Sequence, residues 1–155
     1  MDSSQTQWVV RPVEPTDEAG WKTLFRGYRE FYKYEPDEHV VDEVWKWTQS
    51  PDRETHAFVA VDSDNNVVGI ANVRKFPRNL VAGTALWLDD LFTTPELRGQ
   101  GIARSLLSSL KTYASENGFN AVRWITAKDN AQARILYDDV ADETIWVTYD
   151  LKLVN

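Results

Sequence analysis

The chain has no cysteine among its 155 residues, only two histidines and a single methionine. Without thiols it can form no disulfide, no cysteine-type zinc site and no thiolate nucleophile. His39 and His56 are not spaced with each other or with carboxylates as metal ligands, so each is expected as an ordinary satisfied or surface side chain, with no metal bound. No hydrophobic run approaches the roughly 18 residues of a membrane span. The longest, around Val67–Val73, is strand-sized. A GxxxxGK[ST] phosphate loop, a GxSxG elbow and an HExxH helix are all missing. The opening MDSSQTQ lacks the basic and apolar blocks of a secretory signal, which makes a cytoplasmic location the expectation. Bases are the scarcer charges, 17 against 24 acids, for a net charge of −7. That is a poor field for binding a phosphate backbone, so no nucleic-acid partner is expected, and the lack of a long hydrophobic run leaves no membrane partner expected either. The acidity either favours cationic partners or serves solubility alone.

What is present is an aromatic-rich globular composition, 43% apolar with seven Trp, six Tyr and six Phe. With no linker-like tract and no repeat, residues 1–155 read as one domain. Gln7–Val13 reads as a strand. Thr16 or Asp17 then caps a helix carrying Trp21, Leu24, Phe25, Tyr28, Phe31 and Tyr32 at helical spacing, broken by Pro36. A second helix spans about Asp37–Thr48. His56–Asp62 and Val67–Phe76 flank the turn SDNN as a hairpin, and Ala85–Thr93 is another strand. Gly101–Asn117 is helical and Ala121–Ala127 a strand. Asp129 and Gln132 have capping-box spacing before a short helix through Tyr137. The ending TIWVTYDLKLV alternates strictly, a strand with one wetter face. The predicted order is βααβββαβαβ, an α/β (α+β) fold with a mixed sheet and helices on both faces.

The anomaly lies at Arg98-Gly99-Gln100-Gly101-Ile102-Ala103, where a helix begins through two glycines. Glycine weakens a helix start unless bare backbone is needed there. Successive N–H groups from Gly99 to Ala103 at a helix N-terminus form an anion cradle, to which Arg98 and Arg104 add charge. The alternative is a strand–helix turn that merely tolerates glycine. The third glycine of GxGxxG is missing, since position 104 is arginine.

Arg98-x-x-Gly101-x-Ala103, after a strand ending LFTTPE, resembles the R/Q-x-x-G-x-G/A motif of the GNAT superfamily of acetyl-CoA-dependent N-acetyltransferases. Asn130-x-x-Ala133-x-x-Leu136-Tyr137 resembles the superfamily's N-x-x-A-x-x-L-Y segment. The element order agrees with the GNAT fold, whose sheet is mostly antiparallel. GWKTLFRGYREFYKYEP and LYDDVADETIWVTYDLKL are similar to the yeast histone/polyamine acetyltransferase subgroup and its bacterial relatives. ALWLDDLFTTPELRGQGIA is similar to spermidine/spermine acetyltransferases. Where the family commonly continues into G-F and two further strands, this chain has DDVADET and one strand.

The resemblance implies acetyl-CoA as co-substrate, direct attack by an amine, and a homodimer. It implies that Arg98, Gly99, Gln100, Gly101, Ile102, Ala103 and Arg104 hold the pyrophosphate. The backbone of Leu91, Phe92 and Thr93 would bind the pantetheine arm and polarise the thioester carbonyl. Asn130 would reach the pantetheine amides, or serve as a second cap. Tyr137 matches the general acid for the departing thiolate, and otherwise packs a short helix. Asp89 matches the glutamate associated with water-mediated deprotonation of the amine; it could instead bind the substrate ammonium or pair with an arginine. Strict alternation sends Asp89 and Asp90 to opposite faces, and Asp90 is expected to be structurally paired. For the acceptor, Tyr28, Phe31 and Tyr32 fall on the apolar stripe, which leaves Tyr34, Glu35 and Glu38 as the freer candidates. The expected acceptor is a small primary amine, with polyamines or diamines first, then a free amino acid or lysine-bearing peptide. A protein or histone lysine acetyltransferase and a non-catalytic acetyl-CoA-binding module are the alternatives.

Overall fold

Alternation and helical spacing resolve into five strands and four helices in the computed structural model of the chain, which describes residues 7–153. In order these are β1 (Val9–Pro12), α1 (Glu18–Phe31), α2 (Glu38–Gln49), β2 (His56–Val61), β3 (Val67–Arg78), β4 (Gly83–Thr93), α3 (Ile102–Glu116), β5 (Val122–Arg123) and α4 (Ala131–Val140). The strands lie in the order β1-β2-β3-β4-β5, antiparallel except for the parallel β4–β5 pair. Two compact units divide the chain between Ile125 and Thr126.

In the first unit the sheet is covered on both faces. Successive side chains of β3 point opposite ways, as strand geometry requires. Ile70 joins Trp21, Leu24, Phe25, Val41 and Trp45 of α1 and α2 in one core. Gly69 faces the other side, where an added Cβ would lie 2.7 Å from Ile102 of α3. Both helices of the first face are amphipathic by the spacing read in the sequence. Asp37 caps α2 through its side chain, accepting from the amides of His39 and Val40. Asp17 precedes α1 but gives it no side-chain cap. Its carboxylate instead accepts a fork from Arg11 at 2.7 and 3.0 Å and the Glu14 amide at 2.7 Å. Burial pushes this carboxyl up, but the Arg11 fork and the Glu14 N–H outweigh it and hold it below the ordinary value.

Two strand expectations and one capping expectation fail. The strand expected over Ala121–Ala127 is only two residues long, pairing Leu86 with Val122 and Trp87 with Arg123. The strand expected over 144–154 does not form among the described residues, its last residue lying outside them. Ile145, Trp146, Val147, Tyr149, Leu151 and Leu153 are 71–91% exposed. A period of two states which faces would be wet and dry, but a strand exists only where another backbone pairs with it. The fourth helix runs on past Tyr137 to Val140 and begins at Asn130 without a side-chain cap, so the capping box read at Asp129 and Gln132 is not made.

Candidate active site

The register of β3 against β4 slips between Asn72 and Val73: Asn72 pairs with Asp90 and Val73 with Leu88, leaving Asp89 without a partner. Asp89 is the extra residue of a β-bulge, which re-aims the side chains around it. The expected alternation is thereby broken. Asp89 and Asp90 both line one open cleft of about 560 Å³, with Phe25, Val44, Trp47, Arg53, Glu54, Thr55 and Arg74.

The two carboxylates differ sharply in their surroundings. Asp89 accepts from Arg74 Nε at 2.8 Å. Asp90 has no such cation among the described residues; its Oδ2 accepts from Asn72 Nδ2 at 3.0 Å. Asp89 thus makes the arginine pairing that the sequence left open for it, and Asp90 is held by Asn72 as a structurally paired acid would be. Asn72 is fully buried, and its Oδ1 accepts from Trp21 Nε1 at 3.2 Å. Indole N–H can only donate, so that bond fixes the amide orientation and turns the Asn72 NH₂ toward Asp90. The Tyr28 hydroxyl, 3.1 Å from the Asp89 main-chain carbonyl, also reaches the Asp90 carboxyl. Burial pushes Asp90 above the ordinary carboxylate value and the Asp89 charge adds to this, while Asn72 and Tyr28 offset part of the rise. A carboxyl whose proton affinity is raised by desolvation, with hydrogen-bonded support, is suited to take a proton from an acceptor amine.

Beyond Trp87, β4 loses its β5 partner, so Leu88–Thr93 has β3 on one side and no strand on the other among the described residues. Leu91, Phe92 and Thr93 lie on this one-sided stretch, where main-chain groups are open to a ligand. Past it, Gly99 and Gly101 have φ of +81° and +86°, values that L side chains rarely adopt. A Cβ at either would meet nothing within 4 Å, so the space beside both glycines is open. The first intrahelical bond of α3 runs from Ser105 N to Gly101 O at 2.9 Å. The amides of Ile102 and Ala103 therefore precede any intrahelical acceptor and carry the positive end of the helix dipole. Trp8 Nε1 donates to the Gln100 carbonyl at 3.1 Å and pins the loop from behind. Arg98 lies over the Phe92 and Phe31 rings, 5.2 and 5.7 Å from their centroids.

The expected acceptor residues are not in the cleft. Glu38 is held by a fork from Arg26 at 2.7 and 2.8 Å, while Tyr34 and Glu35 are exposed beyond α1. In the second unit, Asn130 Nδ2 donates to Thr126 Oγ1 at 3.2 Å, and Tyr137 sits partly buried in α4.

A sequence model described as the acetyltransferase (GNAT) family matches residues 21–140, most of the chain. The chain belongs to the GNAT family. This acetyltransferase is 28% identical over 142 residues to the D-amino-acid N-acetyltransferase HPA3 of Saccharomyces cerevisiae, covering 91% of this chain and 88% of the relative. It is 30% identical over 148 residues to the uncharacterized N-acetyltransferase YhfO of Bacillus subtilis, covering 93% and 97%. Its fold matches that of AAC(6')-Iy in complex with the bisubstrate analog CoA-S-monomethyl-acetylneamine, with a TM-score of 0.76 at 17% identity over 96% of this chain and 100% of that one. The βααβββαβα core and the motif of two glycines in this acetyltransferase are thus those expected from sequence. Arg53, Trp47, Arg74 and Asn72 were not singled out beforehand. Arg53 lies in the connection between α2 and β2 outside any motif, and Asn72 sits in an apolar strand as a polar interruption, a signal that was readable.

Proposed function

We propose that the chain transfers the acetyl group of acetyl-CoA directly to a small primary amine. The observation that carries this is the half-buried Asp90, with no cation partner among the described residues, in the cleft beside the one-sided stretch of β4. In this reading Asp90 accepts the ammonium proton, directly or through water, and Asp89, whose carboxylate is tied to Arg74, shapes the local field. The main chain of Leu91–Thr93 aligns the thioester and donates to the oxygen where negative charge develops. The amides from Gly99 to Ala103, with Arg98 and Arg104, take the pyrophosphate, and Asn130 the pantetheine amides. Tyr137 gives its phenolic proton to the departing thiolate. The names of the yeast relative and of the AAC(6')-Iy ligand support a small-molecule acceptor over a protein lysine. Residues 1–155 act as one acetyltransferase domain in this reading, in the cytoplasm. Thiol release from acetyl-CoA, measured across polyamines, amino acids and basic peptides, tests the proposal; release that no amine stimulates would refute it.

Gly101→Val should raise the KM for acetyl-CoA roughly tenfold or more, because a branched side chain would fill the open concavity and displace the phosphate from its amides. The left-handed backbone adds a folding cost of about 1–2 kcal/mol, readable as a lower Tm. An unchanged KM would contradict the cradle.

A homodimer, which the resemblance implies, is supported by the exposed alternating residues 145–153, a strand pattern without a strand partner. Val147→Asp with Leu151→Asp should turn a dimer into a monomer in light scattering. A wild-type chain already monomeric at working concentration would count against it.

A further inference from the structure

We propose that the acceptor carries an anionic group beside its amine, a carboxylate as in a free amino acid, and that Arg53 is the residue that reads it. This rests on the proposed acetyl transfer and names the substrate class of the same cleft.

The charges lining the cleft do not all cancel. Arg74 is neutralised by Asp89 at 2.8 Å. Arg53 is not: its guanidinium lies 4.3 Å from the centroid of the Trp47 ring, and it has no ion pair among the described residues. Stacking fixes the plane of the guanidinium while leaving its edge donors available, the arrangement that suits a bidentate carboxylate contact. Among the described residues the cleft thus holds one cation without a counter-ion, Arg53, and one half-buried acid without a cation, Asp90. A zwitterion satisfies both together: its amine goes to the Asp90 end and its carboxylate to Arg53. Phe25, Val44 and Trp47 line the same cleft and offer an apolar wall to the acceptor's side chain. A chain with net charge −7 attracts cations from any direction, so selection of an anionic group must be local. Polyamines, first from the sequence alone, would leave Arg53 unsatisfied and bring a second ammonium close to it. Glu54, exposed and also lining the cleft, is the residue a diamine would use instead.

The test compares each amino acid with its decarboxylated twin. Phenylalanine and phenethylamine, tyrosine and tyramine, with spermidine added, are assayed for thiol release on the full chain. The variants are Arg53→Gln, Arg53→Lys and Glu54→Gln. Wild type should prefer the amino acid of each pair. Arg53→Gln should raise the KM for phenylalanine roughly tenfold or more, the effect of losing a charged hydrogen bond, with kcat little changed. The KM for phenethylamine should stay put, Arg53→Lys should recover part of the loss, and Glu54→Gln should not weaken the amino acid. A preference for spermidine lost in Glu54→Gln, or equal effects of Arg53→Gln on both members of a pair, would overturn the proposal. If no amine is acetylated, acetyl transfer itself fails. Calorimetric binding of phenylalanine but not phenethylamine, abolished in Arg53→Gln, would then still support the carboxylate site, and absence of binding would end it.

Discussion

Tyr137→Phe should lower kcat by about 10²–10⁴-fold, the usual worth of a positioned general acid, while the KM for acetyl-CoA moves little. The substitution removes one oxygen and keeps the ring, so the packing of α4 is preserved. A thiol near 8.5 and a phenol near 10 differ by about 1.5 pKa units, or roughly 2 kcal/mol against proton transfer. That is small beside the barrier of an uncatalysed acyl transfer, so proximity decides the matter. Pre-steady-state and steady-state thiol release should fall together if the proton is delivered as the C–S bond breaks. Unchanged kcat would remove Tyr137 from the chemistry and leave it a packing residue.

Asp90→Asn should lower kcat by a similar factor, about 10²–10⁴, yet melt no lower than the wild-type chain at neutral pH. Both halves follow from one fact. Burial raises the Asp90 carboxyl in the folded chain, so folding favours its protonated form. The resulting stability is fully present below the unfolded carboxylate value of about 3.9 and is lost as pH rises through the raised folded value. Ionised Asp90 therefore costs stability at neutral pH, and an asparagine, which cannot ionise, escapes that cost. Its Oδ1 can still accept from Asn72. In wild type, kcat/KM should rise with pH through the folded value of Asp90, and Asp90→Asn should lack that acidic limb. Asp89→Asn offers the contrast, since it frees Arg74 and should act more on KM for the acceptor than on the pH profile. A variant that loses activity and Tm together would mark Asp90 as structural.

The two glycines were legible because their requirement is local: a positive φ at a helix start leaves a mark in residue type. Trp21, Leu24 and Phe25 were legible through helical spacing, and all are buried. The joint placement of Asp89 and Asp90 was not. It depends on a slip in β3–β4 register, a property of two strands that alternation within one cannot reveal. Glu38 reads as a freer acceptor candidate because it lies off the apolar stripe of α1; the fork from Arg26, twelve residues earlier on α1, is a contact between two helices that the sequence does not display. The C-terminal segment shows the opposite failure, a clean strand pattern that pairs with no backbone among the described residues. Arg53 carries no signal in the sequence because the feature that marks it, stacking on Trp47 at the cleft without a counter-ion among the described residues, exists only in the fold.

Amine-dependent thiol release from acetyl-CoA by the purified chain tests the central claim most directly. The account predicts release that requires a small primary amine, saturates with it, and disappears in Tyr137→Phe. Tight CoA binding with no release stimulated by any polyamine, amino acid or basic peptide would contradict it.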